Sequence, residues 1–465
     1  MLVRRFYDDR LAQAAYLIGC QRTGDALVID PPRDIAPILE AARAEGMRIA
    51  KVTETHIHAD FVSGARELAA ATGAELLLSA EGGPDWQYGY AAEAGATLLH
   101  DRDTIVLGGV RIAAWHTPGH TPEHLAFLVT DTARSEEPVA MVTGDFVFVG
   151  DVGRPDLLEK AAKVVGTMEV GARQLFRSLQ QLADLPDHLQ IWPGHGAGSA
   201  CGKALGAMPT STLGYERRTN WAFGIADEAA FVAAVLEGQP TPPAYFAMMK
   251  HLNKVGAPIL GARGAPAPLP WRDLPAALAE GAVVDVRPAG AYRDAHLPGT
   301  LNIPLIKAFT TWAGWLLSYE APIALIADST ADAVEAQRAL ASIGLDRVTG
   351  MFDANDLAAQ PGVASGRVGE ITDAVGLAEG GRRIIDLREP NEWTAGHIPG
   401  AEHHPLGTVT ATLADLPRDT PLAIHCQAGT RSAIGASVLE RMGFTDVVDL
   451  TAGYAGWARA TAGVE

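Results

Sequence analysis

One constant offset organises the second half of the chain. Val284-Asp285-Val286-Arg287 recurs 101 residues later as Ile385-Asp386-Leu387-Arg388, and the same offset relates His296 to His397, Pro298-Gly299 to Pro399-Gly400 and Pro304 to Pro405. A fixed spacing of this kind marks two copies of one structural unit. In each copy an apolar β run ends in Asp-x-Arg, helical segments follow, and a second apolar strand comes later, at 323–327 or 422–425. Strand–helix alternation at this spacing predicts α/β domains with mainly parallel sheets. The copies are expected at 266–360 and 366–465.

Residues 1–240 lack the repeat. Apolar runs at 14–19, 26–30, 76–79, 104–107, 112–116, 125–130, 139–143 and 190–192 read as short strands, with helices expected at 35–45, 61–71 and 157–182. Many strands with helices between them suggest a sheet sandwich covered by helices. The stretch 241–265, rich in proline and glycine, reads as a linker with one helical turn at 244–252. Three folded units fit 465 residues at roughly 100–200 per domain.

Charge narrows the partners. The chain has 37 Lys and Arg against 55 Asp and Glu, a net −18, so its field repels phosphate backbones and anionic lipid. Neither nucleic acid nor membrane is an expected partner, and no uninterrupted apolar stretch approaches the ~18–20 residues that span a bilayer. Leu17-Ile18-Gly19-Cys20 looks like a lipoprotein cleavage box behind Arg4 and Arg5, but Asp8, Asp9 and Arg10 interrupt the leader, and a strand is expected there instead. Three cysteines cannot build a disulfide framework, and the odd count leaves a free thiol. That points to a reducing cytoplasm and to thiol chemistry.

Four clusters carry the chemistry of the first half: Thr55-His56-Ile57-His58-Ala59-Asp60, Pro118-Gly119-His120-Thr121, Thr143-Gly144-Asp145 and Pro193-Gly194-His195-Gly196. Each follows an apolar β run, so imidazoles and carboxylates can converge on one sheet edge. Neutral nitrogen donors, an anionic oxygen and room for an exchangeable ligand are what a divalent cation needs. In this order the clusters resemble the metallo-β-lactamase superfamily over roughly residues 1–215. The resemblance implies an α/β fold, an αββα sandwich with the metal at one edge.

Binuclear hydrolases of that superfamily, the glyoxalase II type among them, continue the first motif as HxHxDH. Here Phe61 stands at the last position and has no lone pair to give. The chain is most similar to the persulfide dioxygenase branch. That resemblance implies one Fe(II) per chain held by His56, His120 and Asp145, with open positions for a substrate sulfur and O2 and with Zn(II) as the alternative occupant. It puts His58, Asp60 and His195 behind the ligands, orienting them or holding water; zinc ligation by these three is the competing reading. Gly150-Asp151-Val152-Gly153-Arg154-Pro155-Asp156 is similar to a Gly-Arg-x-Asp segment of the same family. Arg154 there either binds a substrate carboxylate as a planar fork or pairs with Asp151 or Asp156.

Cys426-Gln427-Ala428-Gly429-Thr430-Arg431-Ser432 follows the strand at 422–425 and precedes an apolar helical run. A loop of this type can turn backbone N–H groups toward the sulfur at a helix N-terminus, lowering the thiol pKa and holding a persulfide anion, with Arg431 adding positive charge. Together with Asp386-Leu387-Arg388, His397-Ile398-Pro399-Gly400-Ala401 and Gly453…Trp457, it resembles a rhodanese sulfurtransferase over 366–465. The related phosphatases need five residues between Cys and Arg; four stand here, too tight a cradle for phosphate. Aligning 324–327 with 422–425 puts Asp328 at the cysteine position of the first copy, and a carboxylate carries no sulfane sulfur. Residues 266–360 are therefore expected to be a pseudo-rhodanese with a scaffolding role.

Cys201 stands six residues beyond His195, no more than ~20 Å away. Its surroundings resemble those of bacterial persulfide dioxygenase–rhodanese fusions of the sulfide-detoxifying type, and it reads either as a persulfide relay or as a plain loop thiol. Cys20 reads as a small buried hydrophobe. The expectation is a cytoplasmic, homo-oligomeric, bifunctional enzyme. It would oxidise a low-molecular-weight persulfide with O2 to sulfite and thiol, and transfer sulfane sulfur through Cys426, giving thiosulfate when sulfite is the acceptor. The competing readings are a glyoxalase II-type zinc thioester hydrolase with a rhodanese appendage, and a non-enzymatic sulfane-sulfur carrier or sensor.

Overall fold

The computed structural model describes residues 1–160 and 166–462. They form two compact units, Met1–Arg263 with Ala341–Gly344, and Gly264–Leu340 with Leu345–Glu465. Among the described residues no helix is long and apolar enough to cross a membrane.

In the first unit, β1–β6 (Leu2–Asp8, Gln13–Cys20, Asp25–Ile29, Arg48–Thr53, Glu75–Ser79, Thr97–Leu99) lie side by side in chain order. A second sheet holds β7–β12 (Thr104–Leu107, Val110–His116, Leu125–Asp131, Ala140–Gly144, Gln190–Pro193, Ser211–Thr212), again in serial order. Every residue of β2 is buried, as a strand covered on both faces requires. Tyr16, Ile18, Leu27 and Ile29 meet Ile112, Phe127, Val129 and Val142 between the sheets. On the outer faces, Leu17, Val28 and Val52 pack on helices Ala36–Ala44 and Ala65–Thr72. Met141 and Ile191 pack on helices Thr167–Gln180 and Glu228–Leu236. This is the expected αββα layering, and the four His/Asp clusters follow the C-terminal ends of β4, β8, β10 and β11.

Helix positions differ from expectation where a loop has another task. The helix expected at 61–71 begins only at Ala65, because Gly64 donates its N–H to the Pro31 carbonyl at 2.8 Å and a Cβ there would lie 2.1 Å from the Pro32 oxygen. The helix expected at 157–182 is seen as Leu157–Lys160 and Thr167–Gln180; its residues 161–165 lie outside the described residues.

Residues 241–263 are not a linker, which corrects the boundary read from the sequence. They belong to the first unit and contain the ten-residue helix Phe246–Val255. Asn253 Nδ2 donates to the carbonyls of His58 (2.9 Å) and Phe61 (2.7 Å), and its Oδ1 accepts from the Ser63 N–H (2.9 Å). Pro240, Pro242, Pro243 and Pro258 flank this helix, where proline is tolerated, and mask it in composition.

In the second unit, β13–β16 (Ala282–Asp285, Leu301–Asn302, Ile323–Ala327, Val348–Asp353) form a parallel sheet in the order β14-β13-β15-β16. A second parallel sheet orders β17–β21 (Arg367–Gly369, Arg383–Asp386, Glu402–His403, Leu422–His425, Val447–Leu450) as β17-β21-β20-β18-β19. The repeat reappears as equivalent contacts. Arg287 folds back on Asp285 (2.6 Å) and donates to the Ala295 carbonyl (2.9 Å); Arg388 does the same to Asp386 and the Gly396 carbonyl (both 2.7 Å). His296 stacks on Tyr292 at 4.2 Å and His397 on Trp393 at 3.8 Å. The Asp-x-Arg motif is thus a buried staple from strand end to the helix that follows.

Strand register corrects the placement of Asp328. Asp285 pairs with Ile326, and Asp386 pairs with His425. Ile326 therefore corresponds to His425, and Ala327 rather than Asp328 to Cys426. Two residues, Asp328 and Ser329, then precede the helix at Thr330, against Gln427, Ala428 and Gly429 before the helix at Thr430. The first copy lacks both the thiol and one residue of the loop.

Replacing Asn253 by alanine leaves three buried backbone groups unpaired. At about 1 kcal/mol or more for each, Asn253→Ala is expected to lower stability by about 3 kcal/mol, read as a shifted midpoint in chemical denaturation.

Candidate metal centre

The clusters converge in the first unit. His56 Nε2 and His120 Nε2 lie 4.0 and 3.5 Å from Asp145 Oδ2. The rings stand edge-on at 4.9 Å, and the three donor atoms all lie within 4.8 Å of one another. Each imidazole is oriented through its other nitrogen. His56 Nδ1–H donates to Thr55 Oγ1 (2.9 Å), whose hydroxyl donates to Asp30 Oδ2 (2.9 Å). His120 Nδ1–H donates to the Arg154 carbonyl (3.0 Å). Both rings therefore turn an Nε2 lone pair toward Asp145, as metal-ligating histidines do. Burial and then the charge of Lys250 hold His120 down to about 3, and burial and then His58 hold His56 well below its usual range. Both rings stay neutral, the form that binds a cation.

A second group adjoins the first. Asp60, His195 and Cys201 have donor atoms within 4.8 Å of one another. His195 Nε2 stands 3.3 Å from Asp60 Oδ2 and 3.4 Å from Asp145 Oδ1, while its Nδ1–H donates to the Ala12 carbonyl (3.1 Å). The carboxylate oxygens of Asp60 and Asp145 are buried and have no hydrogen-bond partner among the described residues. Burial pushes Asp145 up to about 6, and burial followed by both carboxylates pushes the Cys201 thiol well above its usual range. Charges desolvated in this way are tolerated where a cation compensates them. The donor set fits a divalent ion held by His56, His120 and Asp145.

His58 Nε2 pairs with Asp30 Oδ1 at 3.0 Å, while its Nδ1 is buried with no hydrogen-bond partner among the described residues. Burial lowers its pKa, and Asp30, Asp60 and Glu54 together raise it to about 9. Phe61 packs against His58 at 4.4 Å and is fully buried.

In the second unit, Cys426 lies between β20 and the helix Thr430–Arg441 and is 1% exposed. The Gly429 N–H donates to its sulfur (3.1 Å), and Ser432 Oγ lies 3.8 Å from it. Two glycines make the loop possible: Gly429 has φ +93° and a Cβ there would lie 2.3 Å from the Thr451 carbonyl, while a Cβ on Gly453 would lie 2.5 Å from the Cys426 carbonyl. Arg431 holds Glu392 through both nitrogens (2.5 and 2.7 Å), so much of its charge is spent on that pair.

A profile of the metallo-beta-lactamase superfamily matches residues 8–195, and one of the rhodanese-like domain matches residues 372–460. The solved structure of a metallo-beta-lactamase from Staphylococcus aureus subsp. aureus COL is 41% identical, covers 76% of this chain and 98% of its own, and superposes with a TM-score of 0.68. The hydroxyacylglutathione hydrolase of Cereibacter sphaeroides is 30% identical over 50% of this chain and 77% of its own length. The chain belongs to the metallo-beta-lactamase superfamily. The enzyme of the same description from Rhodospirillum rubrum is also 30% identical, over 39% of this chain and 60% of its own length. The rhodanese-like domain lies outside the profile of the superfamily and adds the Cys426 loop.

Of the two roles read for Arg154 from the sequence, the structure shows the pairing with Asp156 and corrects the substrate fork. This arginine of the superfamily domain is fully buried and does not face a substrate: Nε and Nη2 grip Asp156 (both 2.7 Å), and Nη1 and Nη2 reach the Ala200 (3.0 Å) and Pro240 (2.7 Å) carbonyls. Its contribution is the carbonyl that orients His120. Three further residues had escaped the motifs. Asp30 adopts φ +53° to hold Thr55 and His58. His124 donates from Nδ1 to Thr117 Oγ1 (2.8 Å) and accepts the Asp145 N–H at Nε2 (3.1 Å); its place four residues after His120 was the available signal. Lys250 lay in the supposed linker.

Gly153 tests the packing behind the ligands, because a Cβ there would lie 1.8 Å from the Asp145 carbonyl and 3.1 Å from His120 Cβ. Gly153→Ala is expected to weaken metal affinity by roughly 10–100-fold, measured by competition with a chromophoric chelator.

Proposed function

We propose that the chain is a persulfide dioxygenase joined to a sulfurtransferase. The observation that carries this reading is the set of two imidazoles and one carboxylate, His56, His120 and Asp145, beside a Phe61 that offers no donor. Two imidazoles and one carboxylate on one side of a ferrous ion leave coordination positions free. Bound there, Fe(II) would supply the site at which a persulfide sulfur and O2 react, R–S–S⁻ + O2 + H2O → R–SH + SO3²⁻ + H⁺. The protein contributes placement: Thr55 and the Arg154 carbonyl orient the two rings, His124 holds the Asp145 backbone, and the buried surroundings exclude solvent. Cys201 belongs to this centre as a thiol beside Asp60 and His195.

The sulfite so released is a sulfur acceptor. With Cys426 as persulfide, sulfite attacks the outer sulfur, the S–S bond breaks, and the electron pair returns to Cys426 as thiolate: Cys–S–S⁻ + SO3²⁻ → Cys–S⁻ + S2O3²⁻. The Gly429 N–H already bonded to this sulfur stabilises the negative charge. A second reading, zinc-dependent thioester hydrolysis, draws on the hydroxyacylglutathione hydrolase relatives and on the adjoining Asp60, His195 and Cys201 group.

Protein loaded anaerobically with ferrous iron is expected to take up oxygen with glutathione persulfide or coenzyme A persulfide and to release sulfite. His120→Ala and Asp145→Ala lose both the metal and the uptake. Cys426→Ser keeps the oxygen uptake and loses sulfur transfer from thiosulfate. Cleavage of a glutathione thioester with no oxygen uptake establishes the hydrolase reading instead.

A further inference from the structure

The helix Phe246–Val255 carries an unused charge. Asn253 clamps it to the loop of His58 and Phe61, and Lys250, three residues earlier, shares that helix face. Lys250 is 8% exposed, and its Nζ is buried with no hydrogen-bond partner among the described residues. The ammonium lies 4.3 Å over the ring of half-buried Trp86, a contact that accommodates a cation without neutralising it. The loop on which this helix lies is the one that follows His56: Asn253 also accepts the Ser63 N–H, and Glu123 holds the Ile57 N–H beside it. Glu123 attracts Lys250 and Lys254 repels it. Glu123 spends Oε1 on the Ile57 N–H, and its Oε2 has no partner among the described residues. Burial lowers Lys250 only to about 8, so it is charged at neutral pH.

An unpaired buried charge destabilises a fold, and an apolar side chain of similar length would fill the space without that cost. On a chain of net charge −18, an anionic substrate also needs a local cation where it docks. We propose that Lys250 is the anion-binding residue of the metal centre, its ammonium taking a carboxylate or phosphate of the thiol carrier whose sulfur reaches the metal, with the Trp86 ring beside it. This rests on the centre taking a low-molecular-weight thiol derivative.

The test uses the full chain, iron-loaded, as wild type, Lys250→Met and Lys250→Arg. Calorimetric titration with S-methylglutathione and with S-methyl-coenzyme A separates a carboxylate from a phosphate carrier. Thermal unfolding and oxygen uptake with the matching persulfides run alongside. Lys250→Met is expected to bind the preferred thioether about tenfold or more weakly, with the greater part of the kinetic loss in KM, and to unfold at the same or a higher temperature. Lys250→Arg restores most of the affinity. Equal affinity in wild type and Lys250→Met, no binding of either thioether to wild type, or a lowered unfolding temperature with intact affinity overturns the proposal. Binding that depends on Lys250 without oxygen uptake by wild type leaves the anion site standing and removes the dioxygenase reading.

Discussion

Asp145 is a fully buried carboxylate on which two imidazoles, a third histidine and the Cys201 thiol converge. His56 and His120 approach one oxygen at 4.0 and 3.5 Å, and His195 the other at 3.4 Å. The local structure maintains this arrangement. His124 holds the Asp145 N–H, Gly153 leaves room for its carbonyl, and Gly144 takes φ +50° where a Cβ would strike Thr55 and His124. An isolated buried charge costs several kcal/mol even after relaxation, and a divalent cation removes that cost while using each donor that faces it. The αββα sandwich makes the arrangement possible because β4, β8, β10 and β11 all end at one edge.

The neighbouring positions surround these donors with further polar and aromatic side chains. His58 is tied through Nε2 to Asp30 and keeps Nδ1 without a hydrogen-bond partner among the described residues. Phe61 packs its ring on His58 and is fully buried. Asp60, His195 and Cys201 form a second buried donor group beside His56, His120 and Asp145.

The two copies in the second unit separate scaffold from chemistry. The Asp-x-Arg staple and the aromatic–histidine stack are the same in both. What differs is a thiol, one residue of loop and a glycine with φ +93°. In the second copy they turn the Gly429 N–H onto the Cys426 sulfur.

The motif-bearing loops, the repeat and the sandwich were legible in the sequence because each rests on short-range information: a period of two along a strand, a glycine at a tight turn, a histidine at a strand end. Partners distant in sequence were not. Asp30 meets His58 across 28 residues, and Asn253 meets His58 across 195. Arg154 was identified as a fork but not directed, since only the folded loop shows Asp156 and two carbonyls using its donors. Asp328 was displaced by one residue because parallel register is set by hydrogen bonds between strands and not by the apolar character of either strand. The sequence alone determined which donors, thiol and scaffold this protein has. The tertiary structure alone decided which of those side chains are free to act, because burial and the choice of partner depend on residues far away along the chain.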